Sequence, residues 1–321
     1  MTSKVFALFI RFFYKLSYIL AILYLPFCKS SKSTKNNLRI FFGYSSESEI
    51  IKNLIERNRY LIFSNFLQSV LLLGQYFRDL IIEELSEIRV EENVKSVLES
   101  DSPIVLALSH SGYFVIGSLS VSDVLKKHNK ELTTFFDSAS VNSFNESFVK
   151  LYKKDKRKIN ILHNSKRDII KAVNTLKEGG CVSMFPDVFN FDGAFITTKF
   201  FNNIYSSMMG TAFLQNKSNA TIVIPEFYWE NGKFVTDFKV ALYFENLTSI
   251  RTVNDSVFQE LENSIRARPF LWHYLHSMDT FSHGYYPELS EPDKVLDKLN
   301  NITLQNQFWI NSCREIYNKI K

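Results

Sequence analysis

Apolar side chains recur at helical spacing up to about residue 98, and from Pro103 they gather into short runs separated by helical segments. In the first stretch, residues 5–27 (VFALFIRFFYKLSYILAILYLPF) are apolar over a length that could cross a membrane. Ser46 and Glu49 have the spacing of a capping box, and Ile50, Ile51, Leu54, Ile55, Leu61, Ile62 and Phe66 carry one helical period toward residues 71–73. Beyond Pro103 the strand-like runs are 104–108, 132–136, 159–162, 181–185 and 221–227. Helical segments lie between them, for example 167–177, ended by Gly179-Gly180, and Asn231-Gly232 predicts a hairpin turn. Residues 290–321 return to a helical pattern. Strands spaced by helices predict an α/β fold, a mixed sheet flanked by helices, with an N-terminal helical extension. The expected divisions are a membrane anchor or interfacial helix over 1–28, a helical extension over 29–98, and an α/β unit over 99–321. With no repeat or low-complexity linker between them, one composite domain is expected.

Charge refines the first segment. Lys4, Arg11 and Lys15 are spaced by seven and four residues, which places all three on one helical face opposite a Phe/Leu/Ile surface. A helix lying in the membrane interface has that form. The uninterrupted part, 16–27, is short for a span, although snorkelling cations would permit one. A cleaved signal fits less well, because Phe27-Cys28-Lys29 lacks small residues at the cleavage positions. Lys29, Lys32 and Lys35 follow at once, as expected on a cytoplasmic leaflet.

Composition adds little more. The net charge of +5 suits an anionic membrane surface or acidic substrates, and no basic run interleaved with aromatics points to nucleic acid. Cys28, Cys181 and Cys313 are too widely spaced for a metal site or a disulfide framework, so free thiols in a reducing compartment are expected.

The candidate chemistry begins where 104–108 hands over to Ser109-His110-Ser111-Gly112-Tyr113 and then to a helix. A residue there sits at the carboxyl rim of the sheet, where sites form in open α/β folds, and histidine accepts a proton near neutral pH. Ser109 and Ser111 flank His110 but point in different directions, which disfavours a serine nucleophile. Phe185-Pro186-Asp187 ends another strand at the same rim. His163 and Asp168 form a second histidine–carboxylate string, but Asp168 falls in the first turn of a helix, where capping explains it. Lys150, Lys153, Lys154, Lys156, Arg157 and Lys158 crowd the region after the second α/β helix.

In this order the blocks resemble the bacterial lipid A biosynthesis (late) acyltransferases, within the glycerolipid and lysophospholipid acyltransferase superfamily. The resemblance rests on NLRIFFGYSSESE, ALSHSGYFVIG, LKEGGCVSMFPDV, GAFITTKFFNNIYSSMMGTAFLQNKSNATIVIPEF and LENSIRARPFLWHYLH, and covers most of the chain. It implies a glycerolipid acyltransferase-like fold on the cytoplasmic face of a bacterial inner membrane, with no cofactor and no metal. An acceptor hydroxyl of a glycolipid would attack an acyl thioester carried by acyl carrier protein or coenzyme A. His110 would be the base. The resemblance calls for Glu or Asp five residues on, but Val115 stands there. Asp187 is the best substitute carboxylate and Asp137 the next. Lys153 matches the basic residue held to bind acceptor phosphate, and Lys199 is a second candidate. Gly112 would shape the turn after the base, and Phe200 would line an acyl-chain wall. Two alternatives are a lipid-binding relative that has lost catalysis and an acyltransferase of another lipid or secondary metabolite.

Overall fold

The computed structural model describes residues 3–28, 30–136, 143–163, 165–188, 195–245 and 248–285. In chain order the elements are α1 (Ser3–Tyr24), α2 (Ser31–Phe42), α3 (Glu47–Leu72), α4 (Gln75–Leu85), β1 (Ser86–Val90), α5 (Glu92–Glu99), β2 (Ile104–Ala107), α6 (Phe114–Lys127), β3 (Leu132–Phe136) and α7 (Ser143–Lys154). They continue with β4 (Asn160–His163), α8 (Lys166–Lys177), β5 (Cys181–Met184), β6 (Phe195–Phe200), β7 (Asn203–Met208), α9 (Gly210–Ser218), β8 (Thr221–Glu230) and β9 (Lys233–Leu242). The last are α10 (Ile250–Ala267), the short α11 (Met278–Phe281) and β10 (Ser282–Tyr285). Residues 290–321 and Cys313 lie outside the described residues; Cys28 and Cys181 are free thiols.

Seven strands make one mixed sheet in the order β1-β9-β8-β2-β5-β3-β4, parallel at every step except β8 with β9. All four residues of β2 are buried. Ile104 and Leu106 join an apolar layer with Phe63 of α3, Ile81 of α4 and Leu119 of α6, while Val105 and Ala107 face Leu176 of α8 and Phe258 of α10. A strand covered on both faces has no polar alternation, which is why it reads as one continuous apolar run.

Three local findings depart from the sequence expectations. First, β1 lies inside the region expected to be helical and pairs in parallel with β9 at the sheet edge. Its five residues, SEIRV, are too few for a two-residue period to stand out against the helices around them. Second, β6 and β7 form a hairpin, extended by β10 into a three-stranded antiparallel sheet. Its turn is Phe201-Asn202, with φ of 50° and 57°, a left-handed pair that usually calls for Gly. Glu262 accepts the Phe201 N–H at 2.6 Å and Asn203 donates to the Phe201 carbonyl at 2.9 Å, so side chains hold what no glycine announces. By contrast Asn231-Gly232, with φ of 49° and 77°, makes the expected turn between β8 and β9. Third, Ser46 precedes α3 in extended conformation, but its hydroxyl pairs with Ser48 instead of capping the helix.

Helix α1 lies along the domain. Phe6, Ala7 and Ile10 are buried in the core, and Phe13 stacks on Phe66 at 3.8 Å. Of the three cations, Arg11 donates to the Gly232 carbonyl at 3.1 Å, whereas Lys4 and Lys15 are exposed. The expected free basic stripe is therefore broken, its middle member holding α1 to the β8–β9 turn. The side turned from the domain exposes Leu8, Phe9, Phe12, Ile19 and Leu23 beside Lys4 and Lys15, with Phe27 exposed just past the helix, so cations and apolar surface adjoin where opposition was expected.

Candidate active site

Strand register brings the two central residues together. Ala107 of β2 pairs with Met184 of the adjacent parallel strand β5. His110 and Asp187 each stand three residues beyond that pair, so they leave the sheet side by side. His110 Nδ1 lies 2.8 Å from Asp187 Oδ1, and the His110 backbone N–H donates to Asp187 Oδ2 at 2.7 Å. Asp187 is fully buried, while the His110 side chain is 22% exposed, enough for one edge of the ring to meet a substrate. Donation from Nδ1 to the carboxylate leaves Nε2 as the proton acceptor. Phe185, Tyr274 and Phe114 surround the imidazole, with ring centroids at 4.4, 5.4 and 5.9 Å.

The turn that carries His110 is fixed from several sides. Gly112 has φ of 65°, and a Cβ there would fall on the Phe227 carbonyl, so this glycine is required twice over. Its N–H donates to the Leu271 carbonyl at 3.0 Å, and its carbonyl accepts the Tyr60 hydroxyl at 2.8 Å. His273 donates its backbone N–H to the His110 carbonyl at 2.8 Å. Trp272, fully buried, donates its indole N–H to Asp187 Oδ2 at 3.0 Å. Asp187 thus accepts from three donors, which fix the orientation of its carboxylate. Sequence reasoning singled out the 266–272 segment without assigning Trp272 a partner, because a tryptophan in a short irregular segment has no period that shows where its indole points.

The other sequence candidates divide. Phe200 is buried with its ring 5.6 Å from that of Trp272, so it backs the residue that holds Asp187. Lys199, its neighbour on β6, is exposed. Lys153 is exposed in the last turn of α7. Three residues further, the Lys156 carbonyl accepts from Lys126 in the last turn of α6, a helix that starts beside His110 and runs about 20 Å away from it. Lys153 therefore lies toward the amino-terminal ends of the strands, away from the rim that carries His110. Arg157, from the same basic run, is buried against Asp79, Asp123 and Asp155 at 3.2, 2.9 and 3.1 Å, and Asp155 also pairs with Arg78 at 2.7 Å. That cluster ties α4, α6 and the end of α7 together. Asp137 lies outside the described residues. Val115 is buried in α6 and lines a small cavity with Leu67 and Leu71 of α3, so its side chain belongs to the helix interface.

Asp168 does what its position in the first turn of α8 predicts. Its carboxylate accepts the His163 backbone N–H at 3.0 Å, and its own N–H donates to Ser165 at 3.1 Å. That backbone bond and Lys171 hold its carboxyl below the usual range.

No curated protein matches the chain. The sequence profile described as bacterial lipid A biosynthesis acyltransferase matches residues 3–278. With that match spanning the membrane-type helix, the His110 turn, the Asp187 strand end and the Trp272 segment, the chain belongs to the bacterial lipid A biosynthesis acyltransferase family.

Proposed function

We propose that this protein is a membrane-surface O-acyltransferase that moves a fatty acyl chain from a thioester to a hydroxyl of a glycolipid of the lipid A precursor type. The donor is acyl carrier protein or coenzyme A. The observation that carries the reading is the His110–Asp187 contact, which supplies a carboxylate to the histidine although Val115 replaces the usual one. His110 Nε2 takes the acceptor hydroxyl proton as its oxygen attacks the thioester carbonyl. The tetrahedral intermediate collapses with cleavage of the C–S bond, and the imidazolium returns the proton to the departing thiolate. Asp187 stays ionised, fixes the tautomer and stabilises the transient cation. No acyl-enzyme forms, so no activated serine or cysteine is required.

The exposed apolar side of α1 supports docking on a lipid surface. Ser3–Phe27 is long and apolar enough to cross a bilayer, but Phe6, Ile10 and Arg11 are bound to the domain, which favours an orientation in the interface. We place the protein on the cytoplasmic face of the inner membrane. Lys199 is retained as a contact for acidic headgroups; Lys153, remote from His110, is not.

The test is transfer from labelled acyl carrier protein and from labelled acyl-CoA into a total lipid extract, by the parent protein and by His110→Ala. Transfer that vanishes in the variant supports the reading, and the labelled product names the acceptor. A folded, membrane-bound parent that transfers from neither donor rejects it in favour of a lipid-binding role.

A further inference from the structure

Residues 269–276 cross behind the His110 turn as an irregular strap of two short 3₁₀ turns, the first at Pro269–Leu271 and the second at His273–His276. Three of its groups engage the turn or its carboxylate: the Leu271 carbonyl takes Gly112 N–H, the Trp272 indole donates to Asp187, and His273 N–H donates to the His110 carbonyl. An irregular strap has no ladder of its own to hold it. Beyond its bridge to the His110 turn, the N-terminal helices hold it. Arg57 of α3 donates to the Trp272 carbonyl at 2.6 Å and the His273 carbonyl at 3.0 Å, and lies 3.2 Å from His276 Nδ1. Asn37 of α2 donates to the Leu275 carbonyl at 2.8 Å.

Arg57 is unusual in this setting. It is 4% exposed, and its hydrogen-bond partners among the described residues include no carboxylate. Burial pushes its guanidinium down to about 10. A buried cation is costly unless its donors are used; here Nη1 and Nη2 fix the successive carbonyls of Trp272, which carries the indole aimed at Asp187, and of His273, while Nε has no partner among the described residues. The planar fork of arginine can take both carbonyls at once, which a lysine ammonium cannot do with the same geometry.

We infer that Trp272 and Arg57 are positioning residues for transfer: Trp272 aims the Asp187 carboxylate at His110, and Arg57 locks the strap that carries Trp272. The inference rests on the proposed role of His110 and deepens it. It makes the α3 layer part of the catalytic apparatus, so the helices beside α1 and the histidine at the sheet rim act as one unit.

The test compares the parent with Trp272→Phe, Arg57→Lys, Arg57→Met and the His110→Ala control, all as full-length protein in the transfer assay. Trp272→Phe keeps an aromatic ring in the core, removes the indole donor and leaves a cavity of part of a ring, whose cost the Tm reports. It is expected to lower kcat by between about tenfold and a hundredfold, with KM for the donor within about twofold. With one donor gone, Asp187 presents more of its charge to the imidazole, so the acid limb of the kcat/KM profile moves to higher pH. Arg57→Met should lower kcat similarly, and Arg57→Lys should recover part of the loss. A purely structural role would lower the Tm without moving the pH profile. If Trp272→Phe has the parent kcat and an unmoved acid limb while His110→Ala is inactive, the inference fails and the proposed function stands. If His110→Ala retains full transfer, the proposed base itself is wrong. Should Arg57→Met not fold, Trp272→Phe and Arg57→Lys still decide the question.

Discussion

Among the described residues, His110 beyond β2 and His163 at the end of β4 each stand near a carboxylate at the same end of the sheet, but of these two only His110 makes a ring contact with its partner. His163 and Asp168 have the separation in sequence that the family resemblance associates with the dyad, but Asp168 accepts from the His163 backbone in the first turn of α8, which Ser165 caps, leaving the imidazole outside. His110 and Asp187 are 77 residues apart in the chain and meet ring to carboxylate at 2.8 Å. Spacing within one helix turn brings a side chain near the backbone that precedes it, and capping uses that proximity first. Register between parallel strands instead brings two loop residues to the same rim with their side chains free to pair. A dyad is recognised by where the strands end, and local spacing is a poor substitute for it.

The strongest way to break this comparison is to remove each pair in turn. His110→Ala should lower transfer by about a thousandfold or more, and Asp187→Asn, which also unsettles the tautomer, by at least about a hundredfold. Asp168→Ala should leave transfer at the parent level. Loss of transfer in Asp168→Ala with activity retained in His110→Ala would move the base to His163 and invert the assignment.

A second variant sharpens the same point by restoring the spacing at the other histidine. Val115→Glu recreates the string but inserts a carboxylate into a buried helix interface against Leu67 and Leu71. The expected result is destabilisation of about 3–5 kcal/mol in chemical denaturation and no gain in transfer. A folded Val115→Glu protein with raised kcat would show that α6 still accepts the acid there.

How much of this was legible in the sequence depended on which interactions leave a periodic trace. Strand β3 appears with the bounds its apolar run predicts, and β2 and β5 differ by a residue, because burial on both faces writes a continuous signal. Strand-end position pointed to both Asp187 and Asp137 from the sequence; the structure sets Asp187 against His110, and Asp137 lies outside the described residues. Strand β1 and the β6–β7 hairpin were missed, the first for brevity and the second because Phe201-Asn202 takes a left-handed turn that Glu262 and Asn203 enforce from elsewhere. Arg57 and Trp272 escaped for the same reason: their roles are set by partners more than two hundred residues away and 85 residues away. Lys153 shows the converse limit of order alone, since a basic residue can match a motif by order while a crossover helix carries it toward the other end of the strands.

The Gly112 turn offers a third test of smaller effect on fold than Val115→Glu and larger effect on transfer than Asp168→Ala. Alanine at 112 must adopt a left-handed φ and displace the Phe227 carbonyl. We expect transfer reduced by about a hundredfold, because a shift of about 1 Å in His110 suffices for that. Parent-level transfer in Gly112→Ala would mean that the turn tolerates movement and that His110 is less tightly placed than its contacts imply.

The smallest effect concerns the strap that separates the two histidine sites in character. Burial, then the neighbouring Arg57 charge, lowers the His276 pKa below its ordinary 6.5. In the unfolded chain the imidazole takes up a proton as pH falls through about 6.5, while in the folded protein it resists. The unfolded state then binds more protons, so stability is full above that value and declines on acidification until folded His276 itself protonates. His276→Gln should therefore flatten part of the decline below pH 6.5 in urea midpoints and leave neutral stability nearly unchanged. Arg57→Met should weaken the same pH dependence by removing the cation, linking the titration to the strap. An identical acid decline in parent and His276→Gln would assign that dependence to other groups and leave Arg57 with a geometric role alone.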